Sequence, residues 1–280
     1  YRLIRDYQNG EIIFDRRYGS TNTFEKNNYP VGYNLGQSGN TPSQNLVDAY
    51  EMIDGTPFDW NNPEHKSNPY ANRDPRLAMS ILTNNVEFKD RTIEAWTGGR
   101  DGKGVIHATR TGYYIYKFID PNLDLLQNRT SVHHWVIMRY AEILLSYAEA
   151  MNEAYGPTGN VGYRLNAVRA LNQVRNRVGV EMPAVPTAIS KEELREKIRN
   201  ERRVELAFED HRFWDVRRWM IAPETLGAPL RGVEITKISD EEFEYKPIEV
   251  EKRTFEPKMY LYPIPQADLN TTGWVQNPLW

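Results

Sequence analysis

The stretch "NERRVELAFEDHRFWDVRRWM", Asn200–Met220, sets five acids (Glu201, Glu205, Glu209, Asp210, Asp215) and five arginines (Arg202, Arg203, Arg212, Arg217, Arg218) among apolar and aromatic residues. Four chemistries fit that mixture: a nucleic-acid surface, a pair of catalytic carboxylates, a cation cage, or an ion-paired scaffold. On a helix, Glu201, Glu205 and Glu209 share the face of Leu194, Ile198 and Phe208. Carboxylates on an apolar stripe are not a solvated face, and like charges four residues apart oppose the helix unless something compensates. A raised pKa, a bound cation or arginine partners would each compensate. Arginine's planar fork suits half-buried carboxylates, and its local abundance favours an internal network of Glu201, Arg202, Glu205, Glu209, Arg212 and Asp215.

Other reactive patterns fail on spacing. None of His65, His107, His133, His134 and His211 belongs to an HExxH motif or lies three residues after a glutamate, so zincin and di-iron chemistry lose their motifs. His133-His134 reads as a pair leading into a helix. "GGRDGKG" (Gly98–Gly104) has the wrong glycine spacing for a phosphate loop, and Gly104 follows Lys103 where Ser or Thr is needed. There is no G-x-S-x-G elbow, and zero cysteines exclude disulfides, thiolate metal sites and cysteine nucleophiles. No cofactor is implied and no metal site is assigned.

A second constellation is aromatic. Tyr18, Phe24, Tyr29 and Tyr33 lie among Asn22, Asn27, Asn28, Asn34 and Gln37, with Trp60 and Trp96 in two further loops. Sugar C–H faces stack on rings while amides satisfy hydroxyls, so this composition suits a carbohydrate site. Tyr29, Tyr33, Asn34, Trp60 and Trp96 are the candidate ligand residues. The alternative is that the rings pin long loops against the helices.

Both sets need elements to position them. The 280 residues support a sizeable core, and a net charge of −3 argues against nucleic acid as a partner. No apolar run is long enough to span a membrane as a helix, and "YRLIRDYQNGEIIFD" is not a signal peptide. The expected fold is mainly α. A loop-rich segment (1–134) carries short β-runs at Glu11–Tyr18, "AMSILTNN" and "TGYYIYKFI", a helix opened by a capping box of Thr41 and Gln44, and a turn or helix start at Asp74-Pro75. A helix-hairpin scaffold (135–222) follows. Its first helix, "WVIMRYAEILLSYAEAMNEAYG", should be largely buried, with a polar stripe of Arg139, Glu142, Ser146 and Glu149. The second covers about Tyr163–Val178, the third starts at a capping box of Ser190 and Glu193, and the fourth holds "FWDVRRWM" and stops before Pro223. A tail (223–280) is expected to pack on the scaffold, with an exposed strand pair in "EEFEYKPIEVEKRTFE" and a strand in "MYLYPIP".

The blocks "TPSQNLVDAYEMIDGTPFDW", "NPYANRDPRLAMSIL", "RTGYYIYKF", "RYAEILLSYAEAMNEAYG", "ELREKIRNERRVELAFEDHRFWDVRRW" and "YLYPIPQADLN" occur in an order that resembles the C-terminal part of SusD/RagB-like nutrient-binding lipoproteins. Asp210 stands where that pattern often has glycine. The resemblance implies tetratricopeptide-type helix hairpins with long irregular loops and a few short β-hairpins. It also implies non-catalytic capture of an oligosaccharide at the outer-membrane surface, for a SusC-like TonB-dependent transporter. The N-terminal lipid anchor of such proteins is absent from this chain. The rival readings are a glycoside hydrolase using Glu201 and Glu205, and a repeat-type protein-interaction scaffold.

Overall fold

The computed structural model describes residues 9–280, so the reading of the first residues as no signal peptide falls mostly outside the described residues. In chain order come β1 (Ile12–Arg17), α1 (Thr23–Asn28), α2 (Gln44–Val47), α3 (Pro63–Ser67), α4 (Arg76–Ser80), β2 (Ile81–Leu82), β3 (Glu87–Phe88), β4 (Arg91–Thr92), β5 (Tyr114–Ile115) and β6 (His134–Arg139). After these come α5 (Tyr140–Tyr155), α6 (Ala167–Arg175), α7 (Lys191–Glu205), α8 (His211–Arg218), α9 (Ala222–Thr225), β7 (Leu230–Lys237), β8 (Phe243–Glu251), a 3-10 turn (Pro257–Tyr260) and α10 (Gln266–Thr272). Helix outweighs strand. The named strands pair as antiparallel couples, β1–β6, β2–β5, β3–β4 and β7–β8.

Several expectations are corrected. The helix expected from Trp135 starts only at Tyr140, because Arg139 is extended (φ −144°, ψ 164°). Trp135, Val136 and Ile137 are aromatic or β-branched residues that suit a pleated edge. They lie in β6, where Trp135 faces Arg16 and Val136 faces Asp15 of β1. His133-His134 therefore leads into a strand. Nor is α5 largely buried all round: Leu145, Ala148 and Met151 are covered, but Tyr140, Ile143 and Tyr155 are exposed. On its polar stripe, Arg139 is buried outside the helix.

The remaining differences are local. Helix α2 is a single turn capped by Ser43, whose side chain accepts from the Leu46 N–H, and not by Thr41. Gln44 turns inward, its Nε2 donating to Asp48 Oδ1 at 2.7 Å. Helix α6 is shorter than its apolar pattern, and Val178 beyond its end is 93% exposed. The capping box of Ser190 and Glu193 forms as expected at α7. Asp210, before α8, is left-handed (φ 63°), a conformation a short polar side chain tolerates. In the tail, "MYLYPIP" holds the 3-10 turn and no strand. The alternation around Phe243–Glu251 is one strand, and its partner is Leu230–Lys237.

Two apolar cores result. One gathers Tyr29, Tyr50, Ile93, Tyr113, Tyr114 and Ile235; the other packs α5, α6 and α7 through Leu145, Leu171, Val174, Leu194 and Ile198. Helix α7 serves both, since Val204 belongs to the first core. At this junction lie the glutamates of its apolar face.

Glu201, Glu205 and Glu209 are buried, and distant segments neutralise them. Arg76 Nη1 lies 2.5 Å from Glu201 Oε1 and 2.9 Å from Glu205 Oε2. Arg175 grips the other Glu201 oxygen at 2.7 Å and reaches Glu51 at 2.9 Å. Arg177 forks onto both Glu205 oxygens (2.5 and 2.8 Å). Arg139 joins Glu205 and Glu209 at 2.7 Å each, and Lys117 closes on Glu209 at 2.6 Å.

The arginines within the 200–220 block have other tasks. Arg202 binds Asp215 at 3.0 Å and Arg218 pairs with Glu149 and Asp215. Arg203 donates to the Asn45 carbonyl; burial, with Arg212 nearby, brings its pKa down to about 10. Arg212 has no hydrogen bond or ion pair within reach among the described residues. Burial lowers its pKa and Asp215 opposes that only at longer range. Its place in the expected network is not supported by contact.

Burial pushes the Glu205 carboxyl up, but Arg139, Arg177 and Arg76 outweigh it and hold it far below the usual carboxylate range. Burial likewise pushes Glu209 up, and Lys117 with Arg139 outweighs it and holds the carboxyl below its ordinary value. An unfolded glutamate titrates near about 4.3. The unfolded chain therefore binds more protons than the folded one as pH falls. Stability from these groups is complete above about pH 5 and drains away below that. The urea midpoint should fall between pH 6 and pH 3; an unchanged midpoint would contradict the network. Glu205→Gln, which removes the charge that three arginines share, should cost roughly 3–5 kcal/mol in denaturant unfolding. Arg212→Ala should cost no more than about 1 kcal/mol. Reversal of that order would mean that contact has been misassigned.

Candidate functional site

A cleft of about 1030 Å³ opens among the described residues. One wall runs from the end of α3 through Asn68–Ala78, another comprises Thr83–Val86 after β2, and the β7–β8 turn with the start of β8 closes the third side. Each wall is fixed by a different device.

Arg73 ties the first wall. Its guanidinium donates to the carbonyls of Pro69, Val47 and Tyr50 at 2.6 Å each and lies 4.1 Å over the Phe58 ring. Burial brings its pKa down to about 10, so it keeps its charge at neutral pH. Next to it, Asp74 accepts from Arg76 Nε and Nη2, which links the wall directly to Glu201 and Glu205. The scaffold network thus ends in the floor of the cleft.

Tyrosines form the interior. Tyr70 meets Tyr113 and Tyr245 edge-on, with centroids 6.1 and 5.3 Å away. A hydrogen-bond chain supports it: Tyr70 to Tyr113 (3.3 Å), Tyr113 to Gln44 (2.5 Å), Gln44 to Asp48 (2.7 Å). Trp60 Nε1 donates to the same Asp48 oxygen at 3.0 Å. Burial raises the pKa of Tyr70 and Tyr245, which keeps both phenols protonated as donors. Asn84 is held by the Ala95 N–H (3.1 Å) and donates to Tyr245 (3.4 Å). Phe243 stands half-buried on the opposite wall, backed by Trp96 at 5.4 Å, and Lys237 Nζ lies 5.0 Å over Trp96. The rim carries exposed amides and charges: Asn68, Asn85, Lys66, Glu241, Glu242 and Glu244.

The five candidate ligand residues do not converge. Tyr29 and Tyr33 are 1% and 7% exposed, so neither offers an open face for stacking. Their hydroxyls donate to the carbonyls of Asp120 and of Phe88. Lys89 and Arg91 sit over their rings at 4.9 and 3.9 Å. Both rings border a separate hollow of about 610 Å³, which the exposed Asn34 also lines, but as core members rather than platforms. Trp60 props the cleft's hydrogen-bond chain, and Trp96 backs Phe243. Tyr70, Phe243 and Asn85 are the accessible groups of the cleft, with the buried Tyr245 and Asn84 behind them, and all five were missed in the sequence. The turn chemistry of "NPYANRDP" and the alternation of "FEYK" marked their elements, but nothing local marked the side chains as neighbours.

Glu201 and Glu205 sit in no cleft. Every oxygen of the pair is met by an arginine and neither side chain is more than 2% exposed. A glycosidase pair needs one carboxyl that holds a proton and water or sugar beside the other. These two are closed to both.

The model of the SusD family matches residues 10–280. A SusD-like protein from Bacteroides fragilis shares 32% identity and a TM-score of 0.80 over 98% of this chain and 55% of its own. A SusD-like carbohydrate binding protein from the same species is 30% identical, covers 96% of this chain and 55% of its own, and has a TM-score of 0.78. Among characterised sequences, SusD-like protein P2 of Formosa agariphila is 34% identical over 120 residues, 41% of this chain and 22% of that protein. The chain therefore spans about half the length of these solved relatives. Since the family pattern runs through all but the first of the described residues and the same fold recurs in relatives at about a third identity, this chain belongs to the SusD family.

Proposed function

We propose that the chain is the C-terminal part of a non-catalytic, cell-surface glycan-binding protein, and that the tyrosine-floored cleft contributes to its oligosaccharide site. In this reading the ligand passes to a SusC-like TonB-dependent transporter in the outer membrane. A lipid anchor holds the protein there, and tetratricopeptide-type helix pairs support the binding face. The observation that carries the reading is the cleft itself. It is a long, open hollow of about 1030 Å³ with aromatic rings inside and amides and carboxylates at the rim, which is the combination sugars require. The likeness to a SusD-like carbohydrate binding protein at 30% identity supports it. The hydrolase alternative gains nothing from Glu201 and Glu205, whose oxygens are all occupied.

Calorimetric titration with a panel of neutral oligosaccharides is the test. At least one should bind without release of shorter products. Phe243→Ala, at a half-buried ring, should weaken it about 10-fold, as loss of one stacking contact implies, with little change in unfolding midpoint. Asn85→Ala should weaken it about 5-fold, the worth of one hydrogen bond. Binding untouched by both changes would move the site elsewhere, and turnover of the glycan would overturn the non-catalytic reading.

A further inference from the structure

Tyr18 and Phe24, two further rings of the aromatic loop outside the cleft, meet Phe118, His133 and Trp135 around another, smaller pocket of about 290 Å³. It shares no residue with the cleft. Four segments build it. The β1–β6 pairing brings Tyr18 beside His133, whose carbonyl accepts from the Tyr18 N–H at 3.0 Å. An isolated bridge between Thr21 and Ser131 holds the next turn in place. Phe24, on α1, leans on His133 with centroids 5.4 Å apart, and Phe118 leans on Trp135 at 5.4 Å. Rings therefore make two opposed walls, and Tyr18, 43% exposed, stands at the mouth.

The polar groups are few, and their states are fixed by what lies behind them. Glu25 is fully buried, and its Oε1 accepts the Asp120 N–H at 3.1 Å. Its Oε2 lies 3.0 Å from His133 Nε2. With the imidazole neutral and its proton on Nε2 toward the carboxylate, which Ser131 Oγ also approaches at 3.2 Å, Nδ1 is an acceptor. No described group donates to that Nδ1. Thr21 and Thr23 spend their hydroxyls on each other at 2.8 Å. His134 Nδ1 is 2.8 Å from Asp15. The exposed Asn27 amide, the Tyr18 phenol and the Trp135 indole N–H complete the polar groups of the lining residues.

This inventory selects a ligand class. A sugar ring would bring several hydroxyls against a lining made mostly of rings, with few partners for them, and each hydroxyl left unpaired gives up its hydrogen bonds to water. A cation would meet a site whose mouth ring already has Arg16 over it at 4.9 Å. A flat ring with a single O–H fits: its faces pack against the ring pairs in tilted geometry and its hydroxyl donates to His133 Nδ1. We propose that this pocket binds one phenol-class aromatic ring, free or borne as a substituent on a saccharide. The proposal stands on the pocket alone and does not depend on the glycan cleft.

Saturation-transfer NMR titrations of the whole chain with 4-methylphenol, toluene and methyl glucoside test it, and a 4-hydroxycinnamoyl ester of arabinose tests the saccharide-borne form. Saturable binding of 4-methylphenol is expected, with toluene about 5-fold weaker for want of one hydrogen bond and no saturation by methyl glucoside. Tighter binding of the arabinose ester than of 4-methylphenol assigns the ring to a decorated saccharide, and the opposite order assigns it to a free phenol. Tyr18→Ala removes an exposed ring, so the fold should persist by circular dichroism while 4-methylphenol affinity drops about 5-fold or more. Phe243→Ala should leave phenol binding unchanged. No saturable binding of 4-methylphenol, equal affinity for toluene, or binding indifferent to both Tyr18→Ala and Trp135→Ala would each overturn the proposal.

Discussion

The architecture depends on neutralising the glutamates on the apolar face of α7. Once Glu201, Glu205 and Glu209 are turned inward between two cores, water cannot solvate them, and any fold that left them unpaired would be heavily penalised. The cations that answer them come from the start of α4, from the strap after β5, from the end of β6 and from α6 and the turn after it. Satisfying three side chains therefore fixes four separate stretches of chain against one helix. Such networks are weak sources of net stability but costly to break. Here the geometry makes the network a register device.

That device reaches the proposed binding face through one residue. Arg76 holds Glu201 and Glu205 with Nη1 and Asp74 with Nη2 and Nε, so a single guanidinium joins the helix junction to the cleft wall. Arg73, directly after the Ala71-Asn72 turn, then ties the same wall to the carbonyls of Pro69, Val47 and Tyr50. On the far side, Asp48 gathers Gln44, Trp60 and Arg231, so α2, its following loop and β7 move as one. The rings of the cleft are thus held by hydrogen bonds that lie mostly behind them, which leaves the rim amides free to meet a ligand.

How much of this was legible in the sequence follows from the range of each interaction. Helical phase put Glu201 and Glu205 on the buried face, because a 3.6-residue period is a local property; Glu209 is buried too, but from the turn beyond the end of α7, where the helical wheel no longer applies. It could not name their partners: Arg76 lies far away in sequence, whereas Arg212, close by, makes no contact. Capping at Ser190 was readable for the same local reason. The helix start near Trp135 was misread because "WVIM" suits strand and helix alike, and only the distant β1 decides between them. Composition located the aromatic loops but could not tell exposed rings from buried ones. Tyr29 and Tyr33 close a core, and Tyr70, Phe243 and Tyr245 meet only through tertiary packing. Family resemblance reached the fold because it rests on those scaffold blocks, and for the same reason it did not point to the cleft.

The charged helices as scaffold and the ring-lined cleft as binding face make one claim about where ligand sits. A crystal structure of the chain with a bound neutral oligosaccharide tests it most directly. The account predicts sugar rings between Tyr70 and Phe243, with hydroxyls on the amides of Asn68 or Asn85, and Glu201 and Glu205 still enclosed by their arginines. Sugar lodged elsewhere with the cleft empty, or a glycan contacting Glu201 or Glu205 after displacement of Arg76, would contradict it.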